Sequence, residues 1–252
     1  ENAEILTSNR LIGGMGNDTY VIYSPTDQVI EEAGGGTDTV RSGISTVLSA
    51  NVERLVLTGS SAVNGSGNEL ANQLTGNNAD NALNGGLGDD LLFGSGGNDR
   101  LTGNDGSDRL TGGAGGDRFV FTAEELGTST WGEHDTITDF QRRLDKIDLS
   151  WLYAGSTFGG LKFGKASDAT TISDHRALFY YDGNRTFLIG DTDGVAGADF
   201  AIELTGRVQL KESDLITGTT IVYAAGSDMV EWGREMFPLV TMPEAKADLF
   251  WA

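Results

Sequence analysis

The sequence predicts an all-β protein in which a β-solenoid is followed by a β-rich cap and a short tail that can form a helix. Three features of the 252-residue chain support this class: an apolar residue recurs every nine positions, 37 residues are Gly, and alternating apolar and polar residues follow the repeat. Gly is about twice as frequent as in an average protein. Because only 3 Pro and no Gly-X-Y period accompany it, neither collagen nor a Pro-rich disordered tract fits.

A nine-residue repeat runs through residues 67–121. Its clearest units are GGLGDDLLF (85–93), GSGGNDRLT (94–102), GNDGSDRLT (103–111) and GGAGGDRFV (112–120). Each unit supplies one large apolar residue, and the series is Leu74, Leu83, Leu92, Leu101, Leu110 and Phe119. The repeat predicts short strands that each bury one side chain, joined by tight turns in which Gly adopts positive φ.

The repeat reappears less regularly nearer the N-terminus, as GGMGNDTYV (13–21) and AGGGTDTVR (33–41). Apolar residues spaced six to ten positions apart connect these units with the regular ones: Tyr20, Ile30, Val40, Leu48, Leu57 and Val63. We therefore predict one continuous solenoid over residues 1–121.

Apolar burial alone does not stabilise such a unit. One buried Leu contributes about 1.5–3 kcal/mol, which is far less than the conformational entropy lost by ordering nine residues. The chain also has a net charge of −20 and no Cys, so its acidic turns repel one another and no disulfide constrains them. The composition therefore predicts a cation that binds the turns.

Asp or Asn occupies the sixth position of every unit, two residues before the apolar one: Asn72, Asn81, Asp90, Asp99, Asp108 and Asp117. Carboxylates and the carbonyls of Gly-rich turns are the hard oxygen ligands that Ca²⁺ prefers. If each unit is half a coil, turns on one edge lie 18 residues apart. This spacing places Asp90 near Asp108, and Asp99 near Asp117. The alternative is that these residues only cap turns. Recurrence of Asp favours the metal, whereas the neutral amides of the two Asn favour capping.

These units resemble the RTX nonapeptide G-G-x-G-x-D-x-U-x, the hemolysin-type calcium-binding repeat. The resemblance implies a parallel β-roll that holds several Ca²⁺ ions between each turn and the second turn after it. It implies carboxylate ligands at Asp18, Asp38, Asp90, Asp99, Asp108 and Asp117. It implies carbonyl ligands at Gly85, Leu87, Asp89, Gly94, Gly96, Asn98, Gly103, Asp105, Ser107, Gly112, Ala114 and Gly116. The chain departs from the repeat at Ala33, Ser95 and Asn104, which stand where the pattern has Gly.

Beyond residue 121 the nine-residue spacing stops and short alternating segments follow. HDTITDFQRRLDKIDLS (134–150), ALFYYD (177–182), RTFLIGD (185–191) and DFAIELTG (199–206) are typical of β-strands. Their D-x-I-x-D-F and D-K-I-D-L-S patterns are similar to the C-terminal domain of serralysin-type secreted proteases. That resemblance implies that residues 122–222 cap the roll and belong to an export module.

A second metal site is predicted within GDTDGVAGADF (190–200). Asp191, Asp193 and Asp199 have the D-x-D-G spacing of a compact calcium loop. The alternative is a polar hairpin turn whose acids stay in solvent.

The tail, residues 223–252, has a different composition. SDMVEWGREMF (227–237) can form a short amphipathic helix, and the last residues are Asp248 followed by Leu249, Phe250, Trp251 and Ala252. An acidic residue before a hydrophobic terminus resembles the uncleaved signal that type I secretion machinery reads. The alternatives are a helix packed on the roll and a segment that binds a partner.

The sequence supports no active site. Only two His are present, His134 and His175, with no H-E-x-x-H or G-x-S-x-G motif, so each His is interpreted as paired with a neighbouring acid. The net charge argues against binding to nucleic acid or anionic lipid. No apolar run reaches the ~18 residues that span a bilayer, so membrane insertion is not expected.

Together these features predict a non-catalytic calcium-binding module of an extracellular or cell-surface bacterial protein, which folds on Ca²⁺ after type I secretion. One alternative is a surface or matrix protein of adhesin type, in which the solenoid binds glycan or associates with itself. Another is the non-catalytic C-terminal part of a secreted protease, lyase or epimerase.

Overall fold

The computed structural model of the chain describes residues 9–122, 134–154, 158–165, 167–168, 171–195 and 197–218. All of them belong to one compact unit, Glu1–Thr220. The tail at 223–252, with its predicted helix and secretion signal, lies outside the described residues.

Short β-strands and turns dominate the described residues. The strands are β1 Arg10–Ile12, β2 Thr19–Ile22, β3 Gln28–Ile30, β4 Thr39–Ser42, β5 Thr46–Val47, β6 Arg54–Leu57, β7 Gly65–Ser66, β8 Gln73–Thr75, β9 Ala82–Leu87, β10 Leu91–Gly96, β11 Arg100–Asp105, β12 Arg109–Ala114, β13 Arg118–Val120, β14 Asp135–Ile137, β15 Lys146–Asp148, β16 Leu161–Phe163, β17 Ala177–Asp182, β18 Arg185–Gly190, β19 Phe200–Thr205 and β20 Leu215–Ile216. A 3₁₀ turn, Glu212–Asp214, precedes β20.

The chain alternates between two parallel sheets, as a solenoid of half-coil units requires. One sheet contains β2, β4, β6, β8, β10, β12 and β14, and the other contains β5, β7, β9, β11, β13, β15 and β20. In the regular region Leu92 pairs with Leu110, 18 residues further on. Leu83 pairs with Leu101 at the same spacing. The predicted all-β solenoid with an 18-residue coil is confirmed.

Two columns of apolar side chains, one from each sheet, run through the core. The first column contains Tyr20, Val40, Leu55, Leu74, Leu92, Leu110, Ile137 and Leu204. The second contains Leu83, Leu101, Phe119, Ile147 and Leu215. The six predicted inward residues of the regular repeat are therefore all buried. Upstream the spacing shifts by one position, because Val29 is buried while Ile30 is only half-buried.

Turn geometry explains the Gly content and the departures from it. Gly86 and Gly113, the second residues of their units, have φ of 116° and 99°. Ser95 and Asn104 occupy the same position in the intervening units and also adopt positive φ, 83° and 71°. Asn tolerates this left-handed region better than Ser does, so the turn survives both substitutions with more strain at Ser95.

Both sheets continue beyond residue 121. Strand β14 pairs in parallel with β12, and β15 pairs in parallel with β13. The long sheet then changes direction: β19 is parallel to β14 but antiparallel to β18, which forms an antiparallel hairpin with β17. Strand β16 pairs with β17 and ends the sheet. The predicted strands after the repeat are present, and the antiparallel ones extend the long sheet. That residues 122–222 cap the roll stays a prediction.

Removing one side chain from the first column tests how strongly the columns stabilise the fold. Leu92→Ala, in calcium-containing buffer, is expected to lower the free energy of unfolding by about 2–5 kcal/mol, because Leu92 is fully buried between two neighbouring coils. Urea unfolding followed by circular dichroism measures this. The neighbouring Leu91 faces outward and is 36% exposed, so Leu91→Ala is the matched control with a much smaller effect. Equal losses for the two variants would contradict the assignment of the core face.

Candidate metal centre

In the regular units 85–120, each sixth-position Asp lies just before a strand and is buried, and stacked turns are joined through these side chains. The Asp90 N–H donates to Asp108 Oδ1 at 2.7 Å, and the Asp99 N–H donates to Asp117 Oδ1 at 2.9 Å. The structure therefore brings together both carboxylate pairs that the 18-residue spacing predicts.

The second oxygen of each of these carboxylates accepts no hydrogen bond in the described part of the chain. These atoms are buried and have no hydrogen-bond partner among the described residues: Oδ2 of Asp90, Asp99, Asp108 and Asp117. Buried polar atoms are nearly always paired, and an unpaired buried carboxylate oxygen is costly. Repetition of the same unpaired atom at four successive turns indicates a common binding partner.

Gly leaves open a space beside each unpaired oxygen. A Cβ on Gly85 would lie against Asp90 Oδ2 and 2.6 Å from the carbonyl oxygen of Gly103 in the next coil. A Cβ on Gly94 would likewise lie against Asp99 Oδ2 and the Gly112 carbonyl. Carboxylate and carbonyl oxygens thus converge on spaces that any other residue would fill. This donor set of hard oxygens fits Ca²⁺.

Burial shifts the titration of these carboxyl groups. Desolvation is the main cause that raises the pKa of Asp90 and of Asp108 to about 7, and that of Asp99 to about 6. The stacked carboxylate adds to the effect, since Asp108 raises the pKa of Asp90. Burial also raises the pKa of Asp117. Without a cation, the fold therefore favours the neutral form of groups that are charged at neutral pH in an unfolded chain.

The predicted carbonyl ligands differ in their surroundings. The carbonyls of Gly85, Gly94, Gly103 and Gly112 each point toward the Gly 18 residues earlier. The Ala114 carbonyl instead accepts a hydrogen bond from the Gly97 N–H at 3.0 Å. Side chains rather than carbonyls connect the turns at two other positions: Asp89 Oδ1 accepts from the Ser107 N–H, and Asn98 Oδ1 from the Gly116 N–H. Carbonyl ligation stays a prediction for all twelve of these residues.

The two Asn at the sixth position act as turn caps. Asn72 Oδ1 accepts from the Asn68 N–H at 2.7 Å, and its Nδ2 donates to the Val52 carbonyl at 3.1 Å. Asn81 Nδ2 donates to the Val63 carbonyl at 2.6 Å. Both ends of each amide are therefore used in hydrogen bonds, as expected for caps.

Two acids that the nonapeptide does not contain extend the carboxylate stacks. Asp135 Oδ1 accepts from the Asp108 N–H at 2.8 Å, and Asp145 Oδ1 from the Asp117 N–H at 3.0 Å. Burial raises the pKa of Asp145, as it does for the repeat Asp. Sequence reasoning missed both because they follow their partners by 27 and 28 residues. The available signal was an acid just before a strand, in HDTI and LDKI.

A three-carboxylate cluster lies in the irregular N-terminal coils. Asp18, Glu31 and Asp38 each place one carboxylate oxygen within 4.8 Å of the other two. The predicted residues Asp18 and Asp38 keep the regular contact, since the Asp18 N–H donates to Asp38 Oδ1 at 2.8 Å despite Ala33. Glu31 is outside the repeat pattern, and the sequence analysis missed it.

Asp191, Asp193 and Asp199 also lie together, with one oxygen of each within 4.8 Å of the others. They lie in the connection between β18 and β19, and backbone N–H groups already donate to them. Asp191 Oδ2 accepts from the His175 N–H at 2.6 Å, and Asp199 Oδ2 accepts from the Thr192 N–H at 2.5 Å. These contacts organise a hairpin turn, and calcium binding there stays a prediction.

The two His have different surroundings. His134 Nε2 lies 3.2 Å from Glu203 Oε2 and its ring packs edge-on against Phe187. Glu203 in turn accepts from Arg185 at 3.0 Å. His175 contributes its backbone N–H to the hairpin turn.

Within the described ranges no helix has the length and apolarity needed to cross a membrane.

The fold and its stacked carboxylates define a parallel β-roll of the RTX type, and comparison with known proteins agrees. Residues 2–217 match the family described as peptidase M10 serralysin C terminal, and the chain belongs to this family. The resemblance drawn from the nonapeptide and from the strands that follow it is confirmed.

Three further likenesses are to a glycanase and to two subunits of an epimerase. Over 62 residues the chain is 44% identical to endo-1,3-1,4-beta-glycanase ExsH of Rhizobium meliloti (strain 1021), a stretch that spans 25% of this chain and 13% of the glycanase. Among solved structures, the chain resembles the AlgE6R3 subunit of the Azotobacter vinelandii mannuronan C5-epimerase, whose solution structure is known. The two sequences are 31% identical, and the match covers 68% of this chain and 93% of that subunit with a TM-score of 0.46. The AlgE6R2 subunit of the same enzyme is 29% identical, with a TM-score of 0.44 over 62% and 93% of the two chains.

The raised pKa values predict how the calcium-free protein responds to pH. Asp90 and Asp108 have a higher pKa in the folded chain than the unfolded value of 3.8, so their neutral carboxyl groups stabilise the fold at low pH. This contribution is fully present below pH 3.8 and is lost as the pH rises through about 7. The calcium-free chain is therefore expected to be more stable near pH 5 than near pH 8, as thermal unfolding followed by circular dichroism would measure.

A double variant gives the control for this pH dependence. Asp90→Asn with Asp108→Asn removes the two carboxyl groups whose pKa is raised to about 7. This variant should show a smaller difference in thermal stability between pH 5 and pH 8. Greater stability of the calcium-free wild type near pH 8 would contradict the account.

Proposed function

We propose that the chain is a calcium-binding module of an extracellular bacterial protein and that it folds when calcium binds after secretion. The observation that carries the proposal is the repeated, buried Oδ2 atom without a hydrogen-bond partner, at Asp90, Asp99, Asp108 and Asp117. A bound cation gives each of these atoms a partner and neutralises charge that is otherwise desolvated.

The ligands proposed for one edge of the roll are Asp90 and Asp108, with the carbonyls of the Gly-rich turns between them. Asp99 and Asp117 have the same role on the other edge. Calcium bound there supplies positive charge between coils whose side chains already meet through the Asp N–H contacts. The ion therefore acts on the pairing of turns, and its binding free energy contributes directly to folding.

The charge of the chain supports a coupling between export and folding. At a net charge of −20, the calcium-free chain repels itself, and each unit buries one large apolar residue. Such a chain stays unfolded where calcium is scarce and folds where calcium is abundant. Type I secretion fits this behaviour because it needs an unfolded substrate.

The predicted signal at 223–252 completes the export proposal. Secretion of a reporter fused to residues 1–252, compared with one fused to residues 1–222, tests this part. Equal export of the two fusions through a type I system would remove the tail from the proposal.

A second candidate function is the non-catalytic C-terminal part of a secreted enzyme. It is supported by the family, described as the C-terminal part of serralysin peptidases, and by the 62-residue likeness to a glycanase. Both candidates assign calcium-dependent folding to this chain and assign no reaction to its residues.

Asp108→Asn tests the proposed ligands. The substitution keeps an oxygen that can accept from the Asp90 N–H but replaces the unpaired Oδ2 with an NH₂ group, which does not bind a cation. The calcium concentration at half-maximal folding, followed by circular dichroism, is expected to rise at least about tenfold, because calcium affinity depends on ligand charge.

Glu69→Gln is the matched control for Asp108→Asn. Glu69 is exposed and lies in the repeat unit 67–75, and its substitution makes the same change in charge, so the calcium midpoint of this variant should equal that of the wild type. Equal midpoints for Asp108→Asn and Glu69→Gln would refute the assignment of ligands.

A further inference from the structure

The N-terminal cluster differs from the regular turns in the number of carboxylates that it brings together. In the repeat, each Asp contacts the acid of the next coil through its backbone N–H, whereas Asp18, Glu31 and Asp38 each place one oxygen within 4.8 Å of the other two. Glu31 lies directly after β3, a strand that pairs with β1 outside the two long sheets. The longer coil between Asp18 and Asp38, 20 residues instead of 18, makes room for this strand and for the third acid.

The hydrogen bonds leave one oxygen of each carboxylate free for a ligand. Asp38 Oδ1 accepts from the Asp18 N–H, and Glu31 Oε1 accepts from the Tyr20 hydroxyl. Asp18 Oδ2, Glu31 Oε2 and Asp38 Oδ2 are buried and accept no hydrogen bond within the described residues. Glu31 is 8% exposed and Asp38 is fully buried. Two enclosed side chains thus direct an unpaired oxygen into one space.

The surroundings contain further oxygen and no neutralising cation. The point where a Cβ on Gly35 would stand is 2.9 Å from the Gly14 carbonyl oxygen and 3.2 Å from Glu31 Oε2. In the part of the chain that the structure describes, no Lys or Arg forms an ion pair with the three acids. Three carboxylates within 4.8 Å and without a cation repel one another strongly. Oxygen separations of this size fit one ion coordinated at the ~2.3–2.6 Å typical of calcium.

We propose that Asp18, Glu31 and Asp38 form a distinct calcium site in which Glu31 supplies a third charged ligand, so that this site binds calcium more tightly than the paired-Asp turns. Tyr20 is a positioning residue, since its hydroxyl holds Glu31 Oε1 and directs Oε2 toward the ion. The proposal rests on the proposed function in one respect only, namely that calcium is the cation that binds this fold.

Isothermal titration of the full chain with calcium tests the site. Glu31→Gln keeps the size of the side chain and removes its charge, so the tightest binding event is expected to weaken at least about tenfold or to disappear. Glu32→Gln is the matched control, because the neighbouring Glu32 is exposed and the change in charge is the same. Wild-type affinity and stoichiometry in Glu31→Gln would overturn the proposal.

Further variants keep the test decisive if Glu31→Gln does not fold in saturating calcium. Glu31→Asp retains the charge but shortens the reach, and Tyr20→Phe removes the hydroxyl that holds Glu31. Both should weaken the same binding event and leave the weaker events unchanged. An unchanged tightest event in these two variants would overturn the proposal.

Asp108→Asn separates this site from the regular turns. If it leaves all calcium binding unaltered while Glu31→Gln removes the tightest event, the proposed ligands of the repeat are wrong and the three-carboxylate site stands. If Asp108→Asn weakens binding and none of the Glu31 variants does, the repeat binds calcium and this site is refuted.

Discussion

Desolvation of stacked carboxylates is the constraint on which the rest of this structure depends. Each coil buries an Asp whose Oδ1 accepts a backbone N–H from the preceding coil and whose Oδ2 has no partner among the described residues. Burial raises the pKa of these groups, which expresses the same unfavourable free energy in terms of proton binding. Neutralisation by a cation would relieve that cost, which is the basis of the proposed calcium-dependent folding.

Other features follow from this constraint. Carbonyl oxygens from the next coil reach the carboxylate only where Gly85 and Gly94 leave space, which explains Gly at the first position of the units. The single buried Leu of each unit contributes too little to order nine residues by itself. In the proposed function, calcium bound to these acids supplies the stabilisation that apolar burial does not.

The stack ends where the chain stops repeating. Asp135 and Asp145 take the positions that a further pair of repeat Asp would take, each accepting the N–H of an Asp in the last regular coils. Antiparallel strands then follow, and β17, β18 and β19 extend the long sheet. Pairing in the long sheet thus changes from parallel to antiparallel just beyond the last stacked acids, and the sheet ends at β16.

The regular part of this fold could be predicted because its information is local. Leu92 and Leu110 are related by a fixed spacing, so the coil length, the buried residue and the pairing of Asp90 with Asp108 all follow from one period. Glu31 and Asp135 are brought to their carboxylate partners by irregular connections that contain an extra strand or a longer segment, and no period encodes those distances. For the same reason, strands such as β17 could be recognised from alternation, whereas their antiparallel pairing in the long sheet could not.

Far-ultraviolet circular dichroism of residues 1–252 at neutral pH, in millimolar calcium and in excess EGTA at equal ionic strength, tests the central claim most directly. The account predicts a β-sheet spectrum in calcium and the spectrum of a largely unfolded chain in EGTA, with full recovery when calcium is restored. A chain with the same β-sheet spectrum in both buffers would contradict it, because the buried carboxylates would then be stabilised without an ion.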